Sequence, residues 1–177
     1  MNRRNAFKQI LLVTAGAALI PSCMDDKNKS AVILKNFSIS AEQEALLAEL
    51  AETIIPKTDT PGARDISAHL FLLKMMDDCN SREKQNEFVK GMEAFETLAD
   101  KQTGKKFANA TLAERVQLLT LLEAQQKDQK SGDAASFYAT VKRYTIQAYT
   151  SSQFFLTKVK VYELIPGRFH GCVPVKA

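Results

Sequence analysis

Glycine is scarce in this chain: seven residues among 177, scattered along its length. No glycine-rich phosphate-cradling fingerprint can be assembled from them, so the chain offers no turn for a dinucleotide or a nucleotide phosphate. Cysteine is rarer still, with three residues, and no Cys-x-x-Cys-His occurs, which excludes covalently attached haem. There are two histidines, His69 and His170. A catalytic histidine needs an orienting partner and a nucleophile or proton source nearby, and no serine or cysteine motif offers one. His69, beside an apolar stripe, reads as a packing residue. His170 and Cys172 are two possible metal ligands where a site needs more. Asp25-Asp26 and Asp77-Asp78 are adjacent pairs that would point to different faces of a helix, so both read as solvated.

A long hydrophobic run is also missing. The apolar stretch Ile10 to Ile20 covers 11 residues and is interrupted by Thr14 and Gly16. As a helix it would reach about 16 Å, roughly half a bilayer core, too short to span a membrane. Nor is there an excess charge of one sign to exploit. The net charge is +4, but Arg3, Arg4 and Lys8 sit in the first few residues, and the rest of the chain carries +1. That is too weak a field to draw nucleic acid.

What the amino terminus does have is a charged head, a short apolar run and small residues before Cys23, the pattern of an export signal over residues 1–22. Arg3-Arg4 followed by Phe7 and Lys8 looks like a twin-arginine motif, with the phenylalanine one place later than usual. A general secretion signal would also carry a positive head. "LIPSC" resembles a lipoprotein box with an unusual proline, which would make Cys23 an acylated first residue and anchor the mature chain to a membrane without crossing it. The expected location is the periplasm or envelope. An oxidising compartment makes a disulfide the natural fate of Cys79 and Cys172.

Residues 23–38 read as a polar tether and residues 39–177 as one domain, long enough to bury a real core. Five amphipathic helices are expected, near 40–55, 65–78, 81–101, 111–128 and 133–150. Ser40 with Gln43 and Thr111 with Glu114 make capping boxes, and Asp65 offers a cap for the second helix. The apolar stripes are Leu46, Leu47, Leu50 and Ile54; Ile66, Leu70 and Leu73; Phe88, Met92 and Phe95; Leu112, Val116, Leu119 and Leu122; and Phe137, Val141 and Tyr144. Pro56 and Gly104 stop helices. Lys158-Val159-Lys160-Val161 alternates as an extended segment would, and "IPGRFHGCVPV" reads as an arm. The fold class is therefore all-α: a single-domain bundle of about five helices with an extended C-terminal arm.

Three stretches, "LLAELAETIIPKTDTPGARD" (Leu46 to Asp65), "AYTSS" (Ala148 to Ser152) and "YELIPGRFHGCVP" (Tyr162 to Pro174), resemble in order and spacing the gluconate 2-dehydrogenase subunit 3 family. The likeness covers nearly all of the chain after Phe37. It implies a small, non-catalytic accessory subunit that carries no cofactor of its own. The implied partner is a large flavoprotein of the glucose–methanol–choline type, which binds FAD and oxidises a sugar or sugar acid. A cytochrome c subunit is the implied electron acceptor. The lipoprotein box is not part of the family pattern. A subunit carrying the only export signal would let a folded flavoprotein travel with it, so that Arg3 and Arg4 serve two proteins.

Loops held by a rigid scaffold carry recognition, which places the partner surface on Thr60, Pro61 and Gly62 and on Pro166, Gly167, Arg168 and Phe169. Cys79 and Cys172 would pair with each other, or Cys172 with the large subunit. The alternative function is a free-standing envelope lipoprotein with a helical ligand- or protein-binding domain.

Overall fold

The computed structural model describes residues 32–127 and 132–160, together with Ser30, Tyr162 and Gly167. Five α-helices account for most of them: α1 (Ala41–Ile54), α2 (Ala68–Cys79), α3 (Arg82–Thr103), α4 (Leu112–Lys127) and α5 (Asp133–Thr150). A 3-10 turn, Phe107–Asn109, precedes α4, and a π-helical turn, Phe155–Val159, follows α5. The described residues contain no β-strand.

Two of the five helices, α1 and α4, start at capping boxes where amide donors find side-chain partners. Ser40 and Gln43 exchange side-chain bonds with each other's backbone at 3.2 and 2.9 Å. Thr111 and Glu114 do the same at the head of α4, where the Thr111 N–H donates to the carboxylate at 2.7 Å. α3 ends at Gly104, whose φ of 70° is the left-handed conformation that a glycine adopts without strain.

The core is one cluster threaded by aromatic rings. Phe137 on α5 lies 5.1 Å from Phe88 and 5.5 Å from Phe95, both on α3, and Phe95 meets Phe107 at 5.1 Å. Such tilted pairs add about 0.5–1.5 kcal/mol each beyond simple burial. α5 packs against all four other helices, most extensively against α3. Gly91 makes that crossing close: a Cβ there would stand 2.7 Å from the Phe137 Cβ and 2.9 Å from the Asp133 carbonyl oxygen.

Four expectations are corrected. Asp65 does not cap α2. The helix begins at Ala68, because the chain first makes a turn stabilised by Ala68 N–H to Ala63 O at 2.9 Å, and Ser67 adopts φ 55°. On α4 the buried residues are Leu118, Leu119 and Leu122, whereas Leu112 and Val116 face solvent. Asp77 is not solvated; it is 1 % exposed. Finally, residues 155–159 are helical rather than extended. The Ser152 hydroxyl accepts from the Phe155 N–H at 3.2 Å and the Lys160 N–H reaches the Phe155 carbonyl at 2.9 Å, so local capping overrides a short alternation.

Candidate partner-docking site at the Pro61 pole

The loop between α1 and α2 is built around one carboxylate. Glu52, in the last turn of α1, accepts from the backbone N–H groups of Lys57 and Arg64, both at 2.9 Å. Gly62 is buried directly beneath it: an added Cβ would meet both Glu52 oxygens at 2.6 Å and the Lys57 nitrogen at 2.7 Å. The "PG" of the loop thus marks a close approach as well as a turn. The Gly62 N–H donates to Asp65 at 3.2 Å, and Asp65 pairs with Lys57 at 3.1 Å. Lys57 and the Gly62 amide hold the Asp65 carboxyl below its ordinary value.

Small residues let three segments converge under this loop. Ala51, Ala63, Ala68 and Ala148 form a buried cluster, flanked by Ile55, Ile66 and Phe71. Ala148 opens the "AYTSS" stretch, so two of the three stretches that suggested the family meet in space. The next residue, Tyr149, reaches over the loop, with its hydroxyl 3.5 Å from that of Thr60. Its ring packs edge-on against Phe154 and Phe155, at 6.4 and 6.1 Å between centroids. Phe137 and Tyr144, earlier on α5, are buried in the core, while Tyr149, Phe154 and Phe155 are half-buried at this pole. The Tyr162 N–H continues the path by donating to the Leu156 carbonyl at 2.8 Å, and the Tyr162 side chain is exposed.

An ionic hub stiffens the pole. Glu49 is paired with Arg64 from the loop and with Arg115 from α4, the latter at 2.8 Å. Arg115 also donates to the Phe107 and Ala108 carbonyls at 3.1 and 2.6 Å. Burial pushes the Glu49 carboxyl up, but the two guanidiniums outweigh it and hold it below its ordinary value. His69 lies nearby. Burial lowers its imidazole below the usual value, against the opposing pull of Glu44, and Arg64 acts in the same direction as burial.

Thr60 stands exposed at the loop tip, Pro61 is half-buried and Gly62 is buried. Gly167 is exposed. Cys79 ends α2 in an exposed position. Arg3, Arg4, Cys23, Pro166, Arg168, Phe169, His170 and Cys172 lie outside the described residues. Sequence reasoning missed Glu52 and Asp77, since a carboxylate aimed at backbone amides leaves no motif, and Glu49, whose two arginine partners lie far along the chain. Among the described residues no group of three or more His, Cys, Asp or Glu could hold a metal ion, and no helix is long and apolar enough to cross a membrane.

What the pole presents is a braced loop edged with half-buried aromatic rings. The chain belongs to the gluconate 2-dehydrogenase subunit 3 family, whose model matches residues 41–167. That span begins at the first residue of α1 and contains all five helices. No curated protein and no solved structure matches the chain.

Proposed function

We propose that this chain is an exported, non-catalytic small subunit that binds an FAD-dependent dehydrogenase of the glucose–methanol–choline type, acting on a sugar or sugar acid, and helps to export or stabilise it. The FAD belongs to the large subunit, and a cytochrome c subunit takes the electrons. The complex works at the envelope, held there through a lipid on Cys23 or through the assembly itself. The observation that carries the reading is the match of the subunit family over residues 41–167. It is supported by the convergence of "TPGA" and "AYTSS" on one braced pole, where Thr60 and the Tyr149 group would anchor a partner. Aromatic side chains in a pre-ordered frame lose little freedom on docking.

Purification of the tagged chain from its native host tests this. A yellow co-purifying flavoprotein is expected, and removal of Gly167 to Ala177 is expected to leave a folded bundle that no longer retains it. A colourless monomer from the intact chain would reject the reading.

The free-standing lipoprotein reading draws on one feature, a cavity of about 350 Å³ between α1, α3 and the 3-10 turn, lined by Glu42, Leu46, Glu96, Asp100, Lys106 and Phe107. Its volume is within the range of small-molecule sites. A monomer that binds a ligand there, and no flavoprotein, would favour that reading.

A further inference from the structure

At the end of α2 opposite the Pro61 loop, Asp77 holds the chain that leads into the bundle. Its two oxygens accept from the backbone N–H groups of Lys35 and Asn36, both at 2.8 Å. The Asn36 amide returns a bond to the Asp77 carbonyl at 2.8 Å, and Arg82 donates to the Asn36 carbonyl. Phe37 packs edge-on against Phe88 at 6.4 Å. Val32, Leu34 and Phe37 lean on the core, whereas Ile33 between them is 86 % exposed. The Lys74 ammonium reaches the Ile33 carbonyl at 3.4 Å. The result is an apolar tip presented on a clamped strap.

Lys35, the first residue that Asp77 holds, lies twelve residue steps beyond Cys23. Fully extended they reach about 40 Å, roughly the width of a domain this size. A lipid on Cys23 would therefore hold Lys35 within that reach of the bilayer. The Pro61 loop lies beyond the other end of α2, whose 12 residues span about 18 Å.

We infer that the Asp77 pole, with Ile33 at its tip, is the membrane-facing surface of the lipid-anchored domain, and that it turns the Pro61 pole away from the bilayer toward the partner. The inference rests on the Cys23 anchor named above. Charge does not supply the attraction, because Lys35, Lys74, Arg82 and Lys84 around this corner are balanced by Asp77, Asp78, Glu83 and Glu87. The contact is an apolar side chain at the interface, held close by the tether.

The test uses the full acylated chain in vesicles of phosphatidylethanolamine and phosphatidylglycerol carrying a nitroxide high on one acyl chain. Fluorophores are placed singly at Ile33→Cys, Lys84→Cys or Thr60→Cys, with Cys79 and Cys172 replaced by serine. Quenching is expected to be several-fold stronger at Ile33 than at Thr60, with Lys84 between them. In Asp77→Asn, whose amide keeps one acceptor, quenching at Lys84 should fall toward the Thr60 value while that at Ile33 persists. Equal quenching at Ile33 and Thr60, or stronger quenching at Thr60, overturns the orientation. Mass spectrometry showing an unacylated Cys23 overturns it too, and leaves the subunit reading to stand or fall on flavoprotein co-purification.

Discussion

The two poles of α2 solve the same problem with the same device and differ in what surrounds it. At each, one carboxylate accepts from two backbone amides: Glu52 from Lys57 and Arg64, Asp77 from Lys35 and Asn36. Glu52 sits at the edge of solvent in a loop that ion pairs and a glycine also shape. Asp77 is 1 % exposed, with its carboxylate bonded to the strap. Burial pushes its carboxyl up, but the Lys35 and Asn36 amides, with the Asn36 side chain and Lys74, bring it below its ordinary value. Glu52 shares its loop with an ion pair and a close-packed glycine, whereas Asp77 makes the central bonds of a clamp that Arg82, Lys74 and the Asn36 side chain complete.

Asp77→Ala tests that difference most severely. It removes two charge-assisted bonds and leaves two amides to find new partners, a loss of roughly 2–4 kcal/mol, with the lower half expected because Lys35 is exposed and Asn36 half-buried, so water can reach the freed amides. At this chain length that lowers the melting temperature by roughly 5–10 °C. A shift under about 1 °C would show that the strap does not depend on Asp77. The pH dependence has a definite sign. Because the folded carboxyl titrates below the ordinary 3.8 of an aspartate, its contribution is complete above that pH and is lost as pH falls through the folded value. Urea titrations of wild type and Asp77→Asn should differ at pH 7 and converge in strong acid.

Gly62→Ala is the next in size. The new methyl would collide with Glu52 and, at 2.7 Å, with the Lys57 backbone nitrogen, and backbone cannot swing aside as a side-chain end can. Overpacking of this kind costs about 1–3 kcal/mol, and calorimetry should show it together with weaker flavoprotein retention. A neutral result would mean that the loop has room to relax and is less rigid than the Pro61 pole requires.

Thr60→Glu separates recognition from folding. Thr60 is exposed, so stability should stay within about 0.5 kcal/mol of wild type. A charge placed against an apolar partner surface should weaken binding of the large subunit about tenfold or more, read by the flavin retained on an affinity column. Unchanged retention would move the docking surface off the loop. The smallest effect belongs to Lys57→Ala, which removes an exposed ion pair with Asp65. A change within experimental error is expected in thermal unfolding, since such pairs are screened by water and salt.

All five helices were legible in the sequence because their signals are local. Capping at Ser40 and Thr111, the stop at Gly104, and apolar residues at helical spacing act within a turn or two, where the chain cannot avoid its own neighbours. Leu46, Leu47, Leu50, Phe88, Met92, Phe95, Phe137 and Val141 were picked out by that spacing and are buried. Family resemblance was legible too, from "TPGA" and "AYTSS". What periodicity could not decide was which of several apolar positions would find a partner. α4 has apolar residues on more than one face, and only its packing against α5 left Leu112 and Val116 outside while burying Leu118. The roles of Asp77, Glu52 and Glu49 were beyond reading for a related reason. Asp77 meets amides about forty residues away and Glu49 meets Arg115, 66 residues on. Sequence specifies residue types and local geometry. Whether a carboxylate is solvated or buried against distant backbone is decided when the helices pack, because only then does the energy of removing its charge from water have to be offset by donors at hydrogen-bond distance.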